Sequence, residues 1–239
     1  MDQGTGEAEG GVRTVLLEAV RVTDEALRGL GRAERSADAG SRIEIQRVRG
    51  EVRQSARLIL ESLLGSVEVE TGRHGHSRRV AATAGSIAAA MGLPADQIQR
   101  IEDAGRLHDV GELLLDWEQM SVGRELAAAE RRSLRRHPTI GQRLLPTVGL
   151  DEEACRIVGA HHERLDGSGY PDRLVEGNVP IGAQILAVAE TFEALTHNRP
   201  HRGGLSVDEA MQRLRSEAQE GRFNAKAVAA LGEVVSKGG

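Results

Sequence analysis

Two phenylalanines, one tyrosine and one tryptophan are all the aromatic side chains in this sequence of 239 residues. A core without rings has to be filled by Leu, Ile, Val and Ala, and segments rich in Ala and Leu favour helix, because strand propensity rests on β-branched and aromatic side chains. The chain is therefore expected to be all-α. Its punctuation agrees. Ser77 to Met91 is Ala-rich and stops at Gly92, with Pro94 just beyond, the usual stop and restart of a helix. Ala95 to Leu107 carries Ile98, Ile101, Ala104 and Leu107 on one side, as an inward face requires. Ser206 and Glu209 form a capping box that opens a helix ending near Gly221. No useful length alternates with the period of a strand.

Upstream of this region, residues 1–11 are polar and Gly-rich and offer nothing to set against the entropy of ordering, so they are expected to form a disordered tail. Val12, Leu16, Ala19, Val20, Leu27 and Leu30 then recur near helical spacing. The pattern fades over Glu34 to Ser41 and resumes through Ile45, Val48, Val52 and Ile59 to Leu64. Residues 12–55 are thus expected to be amphipathic helices, either packed on a main domain of residues 56–235 or acting as an input or dimerisation arm.

Charge and cysteine content narrow the function. With 31 basic against 36 acidic side chains and a net charge of -5, the chain has no positive excess to attract DNA or RNA. Cys155 is the single cysteine and has no partner for an internal disulfide. No apolar run approaches the roughly 18 residues of a membrane span, and Met1 to Gly10 lacks the basic and apolar regions of a secretory signal. The expectation is a cytoplasmic protein with no membrane association.

Eight histidines are present, His74, His76, His108, His137, His161, His162, His197 and His201, and several lie beside features suited to metal binding. His108 and Asp109 close an apolar-faced helix and precede Gly111, so an imidazole and a carboxylate can enter a pocket together. Such a dipeptide is equally a hydrogen-bonding pair at a helix end. His161 and His162 are adjacent and precede the turn Asp166-Gly167-Ser168-Gly169 and Pro171. Neighbours on a helix project about 100° apart, so both can reach one centre only at the helix end. Otherwise they are polar residues before a loop.

The order of these features resembles the HD-GYP family of metal-dependent phosphodiesterases that hydrolyse cyclic di-GMP. The resemblance runs over about residues 56 to 235, through Gly75-His76-Ser77-Arg78-Arg79-Val80, His108-Asp109-Val110-Gly111 and His137-Pro138-Thr139-Ile140-Gly141. It continues through the string from His161 to Pro171, then Ala187 to Thr196 and Arg199-Pro200-His201-Arg202. It implies a helical bundle of the HD superfamily with an N-terminal helical extension.

By that resemblance, His76, His108, Asp109 and Glu190 hold one metal, while Asp109 bridges to a second held by His137, His161 and His162. Imidazoles and carboxylates with open positions suit iron or manganese rather than a closed thiolate zinc site. Two divalent ions can then stabilise an in-line phosphoryl displacement. The resemblance makes Asp109 and Glu193 catalytic, assigns Arg199 and Arg202 to substrate phosphates, and makes a cyclic dinucleotide the substrate, cleaved to linear pGpG, GMP or both. Gly169, Tyr170 and Pro171 either dock a signalling partner or brace the site. His74, His197, His201 and Trp117 read as structural.

Four positions depart from the family. Glu112 stands where a lysine is usual and places an anion where substrate phosphate is expected. Glu190 and Glu193 each replace an aspartate, the second of which orients the attacking water in the family. Gly72 takes the place of the glutamate that accompanies a third metal, so two metals are expected. These departures motivate the alternatives: a weak or silent module that senses nucleotide or docks a partner, or a phosphohydrolase for another nucleotide.

Overall fold

The computed structural model describes residues 5–115, 127–198 and 203–237, with side chains described from residue 11 onward. Two long helices, α1 (Thr5–Ser36) and α2 (Ala39–Glu70), lead into α3 (His76–Ala90), α4 (Ala95–Leu107) and a 3-10 turn, η1 (Val110–Leu114). There follow α5 (Ala128–Leu134), α6 (His137–Leu144), a second 3-10 turn η2 (Leu145–Val148), α7 (Glu152–Ala160), α8 (Ile181–Thr196), α9 (Val207–Gln219) and α10 (Ala225–Lys237). Among the described residues there is no strand, and the one β-type pairing is an isolated bridge between Asp166 and Val175. The all-α expectation holds.

The core shows how a chain so poor in rings packs. Leu60, Leu64, Ile87, Ile101, Leu107, Leu145, Ile157, Ile185, Leu186 and Leu214 are fully buried, each contributing roughly 1.5–3 kcal/mol by leaving water. Small residues let helices approach closely. A Cβ on Gly105 of α4 would lie 2.8 Å from Ala81 Cα of α3, and one on Gly182 of α8 would lie 2.4 Å from Ile157 Cδ1 of α7. The central helix α8 is apolar around most of its circumference, with Ala183, Ile185, Leu186, Ala187, Val188 and Ala189 all buried, as a helix surrounded by others must be.

The expected helix boundaries at Gly92, Pro94 and Ser206 are where the structure has them, and Ser206 and Glu209 form the reciprocal capping box. The N-terminal region differs from its expectation in two respects. First, α1 begins at Thr5, inside the stretch 1–11, because extending an existing helix is far easier than nucleating one. Second, the boundary at 55/56 falls inside α2, one continuous helix whose inner side carries buried Ala56, Leu60, Leu64 and Val67. The break over Glu34 to Ser41 is real, with Asp38 accepting a hydrogen bond from Ser41 N at 2.8 Å to cap α2. Leu16 of α1 is fully buried in the common core, so the N-terminal hairpin packs on the main bundle.

Candidate metal centre

Helix ends converge on one point beside α8. His76 is the first residue of α3, entered through Gly75 at a φ of 71°. His108 is the C-cap of α4, with Asp109 next in the chain. His137 opens α6, and His161 is the C-cap of α7, with His162 following in the turn. That placement satisfies the condition set by the adjacent histidines. Glu190 and Glu193 project from α8 three residues apart, hence on one side of the helix.

Carbonyls at helix C-termini lack intrahelical donors, and here they aim the imidazoles. Nδ1 of His108 donates to Gly105 O at 2.9 Å, Nδ1 of His137 to Leu134 O at 2.7 Å, and Nδ1 of His161 to Val158 O at 2.6 Å. Each ring therefore offers Nε2 to the centre. His76 is oriented by a carboxylate instead, its Nδ1 donating to Glu193 Oε2 at 2.5 Å. Such outer hydrogen bonds fix the tautomer and rotation of a metal-ligating histidine.

Asp109 divides its two oxygens. Oδ2 lies 3.2 Å from His108 Nε2 and 3.9 Å from His76 Nε2, while Oδ1 lies 3.3 Å from His137 Nε2 and 4.0 Å from His161 Nε2. The donors fall into two groups. Asp109, His137, His161 and His162 form one, and His76, His108 and Glu190 the other, with the donor atoms of each group within 4.8 Å of one another.

The residues fit metal ions on grounds of polarity. His108 Nε2 and Glu190 Oε2 are buried without a hydrogen-bond partner, which is costly unless a ligand fills the gap. The Nε2 atoms of His137 and His161 come within 3.1 Å. Burial, with His162 and His137 nearby, pushes the His161 pKa well below its ordinary value, and burial likewise takes His162 down to about 4. Both rings are neutral at physiological pH, the state that ligates a cation.

The family profile for the HD domain matches residues 66–227, the stretch that holds every one of these side chains. The chain belongs to the HD-domain family. It is 36% identical over 185 residues to the cyclic di-GMP phosphodiesterase response regulator RpfG of Xanthomonas campestris, covering 76% of this chain and 48% of that protein. It is 34% identical over 151 residues to 3'3'-cGAMP-specific phosphodiesterase 1 of Vibrio cholerae, covering 63% of this chain and 35% of that protein. The chain thus spans half or less of the length of these two relatives. Among solved structures it resembles Bd1817, a HDG"Y"P protein from Bdellovibrio bacteriovorus, with a TM-score of 0.56 at 17% identity over 98% of this chain and 75% of that one; this last likeness concerns the fold. The HD-domain family is metal-dependent, and the histidine and carboxylate cluster is suited to hold metal.

In this HD domain, Glu193 is engaged at both oxygens. Besides His76 on Oε2, Oε1 accepts from Arg79 Nε at 3.1 Å and Nη2 at 2.6 Å, with His197 Nδ1 at 3.6 Å. Burial works to raise the Glu193 pKa, but His76 and Arg79 prevail and hold it at about 2. Glu112 is 4% exposed and ion-paired with Arg73, whose Nη1 also donates to Asp109 Oδ2 at 3.1 Å. The anion expected to meet substrate thus carries its own counter-charge.

Between α7 and α8, the Gly-Tyr-Pro segment is organised by Glu163, a residue whose role the sequence did not disclose. Its buried carboxylate accepts from Asp172 N at 2.7 Å, Arg173 N at 3.1 Å and Leu174 N at 3.0 Å. A Cβ on Gly169 would lie 2.4 Å from Arg164 N, so only glycine allows this approach. Half-buried Tyr170 stacks on the His162 ring at 4.6 Å and 27°, with the Arg135 guanidinium 5.0 Å from its ring centroid on the other contact. Arg73 and Arg79 were also unassigned by the sequence. The signal that could have found Arg73 is Glu112 itself, since a buried carboxylate requires a cation.

Arg199, Arg202, His201 and Trp117 lie outside the described residues. The flanks of the arginine segment are clasped beside the end of α8, with Gly204 N donating to Asn198 Oδ1 at 2.8 Å and Leu205 N to Leu195 O at 2.8 Å. His74 is exposed, and His197 forms the C-cap of α8 near Glu193.

Proposed function

We propose that this HD domain binds two divalent cations, iron or manganese, and hydrolyses a phosphodiester bond of a cyclic dinucleotide, with cyclic di-GMP as substrate and pGpG, GMP or both as product. The observation that carries the reading is the division of Asp109, one oxygen toward each group of imidazoles. His76, His108 and Glu190 with Asp109 would hold one ion, and His137, His161 and His162 with Asp109 the other. The donor set contains no thiolate, which favours iron or manganese over structural zinc. Bound there, a pair of divalent ions supplies Lewis-acid stabilisation of phosphoryl charge and lowers the pKa of water.

The chain's own residues do the rest. Asp109 spaces the two groups. Glu193, acting through His76 Nδ1, keeps Nε2 facing the centre and acts as a positioning residue in this resting arrangement. Arg199 and Arg202 are proposed to clamp substrate phosphates as bidentate donors. Tyr170, stacked on His162, supports a bracing role for the Gly-Tyr-Pro loop over a docking one. The hairpin of α1 and α2, although packed on the bundle through Leu16, exposes Val15, Leu17, Val22, Ile43, Leu58 and Ile59 on its outer side, a surface that would suit dimerisation or input. Among the described residues no helix is long and apolar enough to cross a membrane; a cytoplasmic role in second-messenger signalling is part of the proposal.

The test is turnover of cyclic di-GMP by protein purified without oxygen and loaded with iron or manganese, with bound metal counted on the same sample and 3'3'-cGAMP assayed alongside. Metal near two per chain with linear product, both lost in Asp109→Ala, supports the proposal. A second reading, a nucleotide-sensing module without turnover, is favoured by the engagement of Glu193, whose Oε1 accepts two donors from Arg79 and whose Oε2 accepts one from His76, leaving a single lone pair for an attacking water. Two metals and nucleotide binding without product would establish it.

A further inference from the structure

The loop between α2 and α3, together with the first residue of α3, delivers two side chains to the centre. One is His76. The other is Arg73, whose side chain is 19% exposed and whose guanidinium spans two buried carboxylates: Nη1 donates to Asp109 Oδ2 at 3.1 Å and Nη2 to Glu112. Its Nε donates to Thr71 Oγ1 at 3.2 Å, and its backbone N to Glu68 O at 2.6 Å. The buried Glu68 carboxylate accepts from Ser77 N at 2.8 Å, tying the same loop to the first turn of α3. Arg73 and His76 are therefore held in one rigid piece of backbone.

The terminal torsion of an aspartate is soft, with a broad two-fold profile. A carboxylate standing between two groups of imidazoles can turn both oxygens toward one of them unless something sets its rotation. Arg73 takes Oδ2, the oxygen facing His76 and His108. An ionised carboxylate oxygen has two lone pairs, one for the guanidinium and one for a cation. An arginine alone beside a dication site would weaken it by repulsion. Glu112, on the other arm of the fork, offsets that charge.

We propose that Arg73 is a positioning residue of the metal centre: held by Glu112, it fixes the rotation of Asp109 so that one oxygen faces each group. The proposal rests on the metal-binding reading above and explains why position 112 carries an anion. Glu112 serves the centre through Arg73, and the pair adds no net charge.

Manganese binding by calorimetry, with thermal melting on the same samples, separates this role from an ordinary buried ion pair. Wild type binds two ions. Arg73→Met weakens binding about 10–100-fold, the usual effect of removing a hydrogen bond to a metal ligand, and lowers the melting temperature by stranding Glu112. The double variant R73M/E112L regains the melting temperature, since a buried pair can be replaced by apolar residues of similar size, yet keeps the weakened binding. It also carries the test should the single variant fail to fold. R73K stays weakened, because an ammonium cannot reach both carboxylates as a planar fork does. Wild-type affinity in the double variant, or full rescue by lysine, overturns the proposal while leaving the metal reading intact. Wild-type protein that binds no manganese overturns both.

Discussion

Glu193 Oε2 accepts a 2.5 Å hydrogen bond from His76 Nδ1, joining the last turn of α8 to the first residue of α3 across 117 positions of sequence. The carboxylate stands one turn from Glu190, so a single face of α8 supplies both a proposed ligand and the group that orients another. Glu193→Ala removes the orienting group and is expected to weaken one of the two manganese sites about 10–100-fold while leaving the other near wild type. A two-site binding isotherm checks this; equal weakening of both sites would point to general disorder of the centre.

Gly111 lies in η1 two residues after Asp109, at a point of close backbone contact. A Cβ there would lie 2.1 Å from His137 O and 2.9 Å from Gly141 N, atoms of the α6 backbone that cannot swing aside. Gly111→Ala must push apart η1 and α6, and with them Asp109 and His137. The expected loss is about 1–3 kcal/mol of stability, typical of overpacking, together with loss of the metal group containing His137. Denaturant unfolding and metal counting on the same variant measure the two effects.

Leu16 tests whether the N-terminal hairpin is an appendage. It is fully buried in the common core, so Leu16→Ala is expected to cost about 2–5 kcal/mol by leaving a cavity, with one cooperative unfolding transition. A separable arm would instead leave the main transition unmoved, as calorimetry would reveal.

Asp151 caps α7, the helix that ends in His161. Its carboxylate accepts from Ala154 N at 2.9 Å and Arg100 Nε at 2.6 Å. Burial works to raise its pKa, but these donors prevail and hold it below the ordinary 3.8. A depressed folded pKa means stability present above the unfolded value and lost as pH falls through the folded one. Asp151→Ala is expected to cost about 1 kcal/mol at neutral pH. The gap in melting temperature between wild type and Asp151→Ala should narrow below pH of about 4, and a gap that widens in acid would contradict the assignment.

Much of the molecule was legible in its sequence. Scarcity of rings, the Ala-rich stretches, Gly92 with Pro94, and the Ser206 capping box are local signals of helix, and local signals survive into the fold because hydrogen bonds inside a helix need no distant partner. His108 with Asp109, and His161 with His162, were legible as candidate ligands at helix ends, while their grouping with His76 and His137 into one constellation came from the family resemblance. The continuity of α2 through 55/56 was not, since its inner side shows only against the bundle it packs on. The partnerships of Arg73 with Glu112, Glu163 with the backbone of residues 172–174, and Glu193 with His76 were equally hidden. Each joins charges or dipoles far apart in sequence, and only desolvation in the folded core makes such pairing obligatory. The sequence by itself determined an all-helical chain carrying the metal-ligating residue types; the tertiary structure decided which oxygen of Asp109 faces which imidazoles, because that orientation depends on close packing of α3, α4, α6, α7 and α8 around a buried carboxylate.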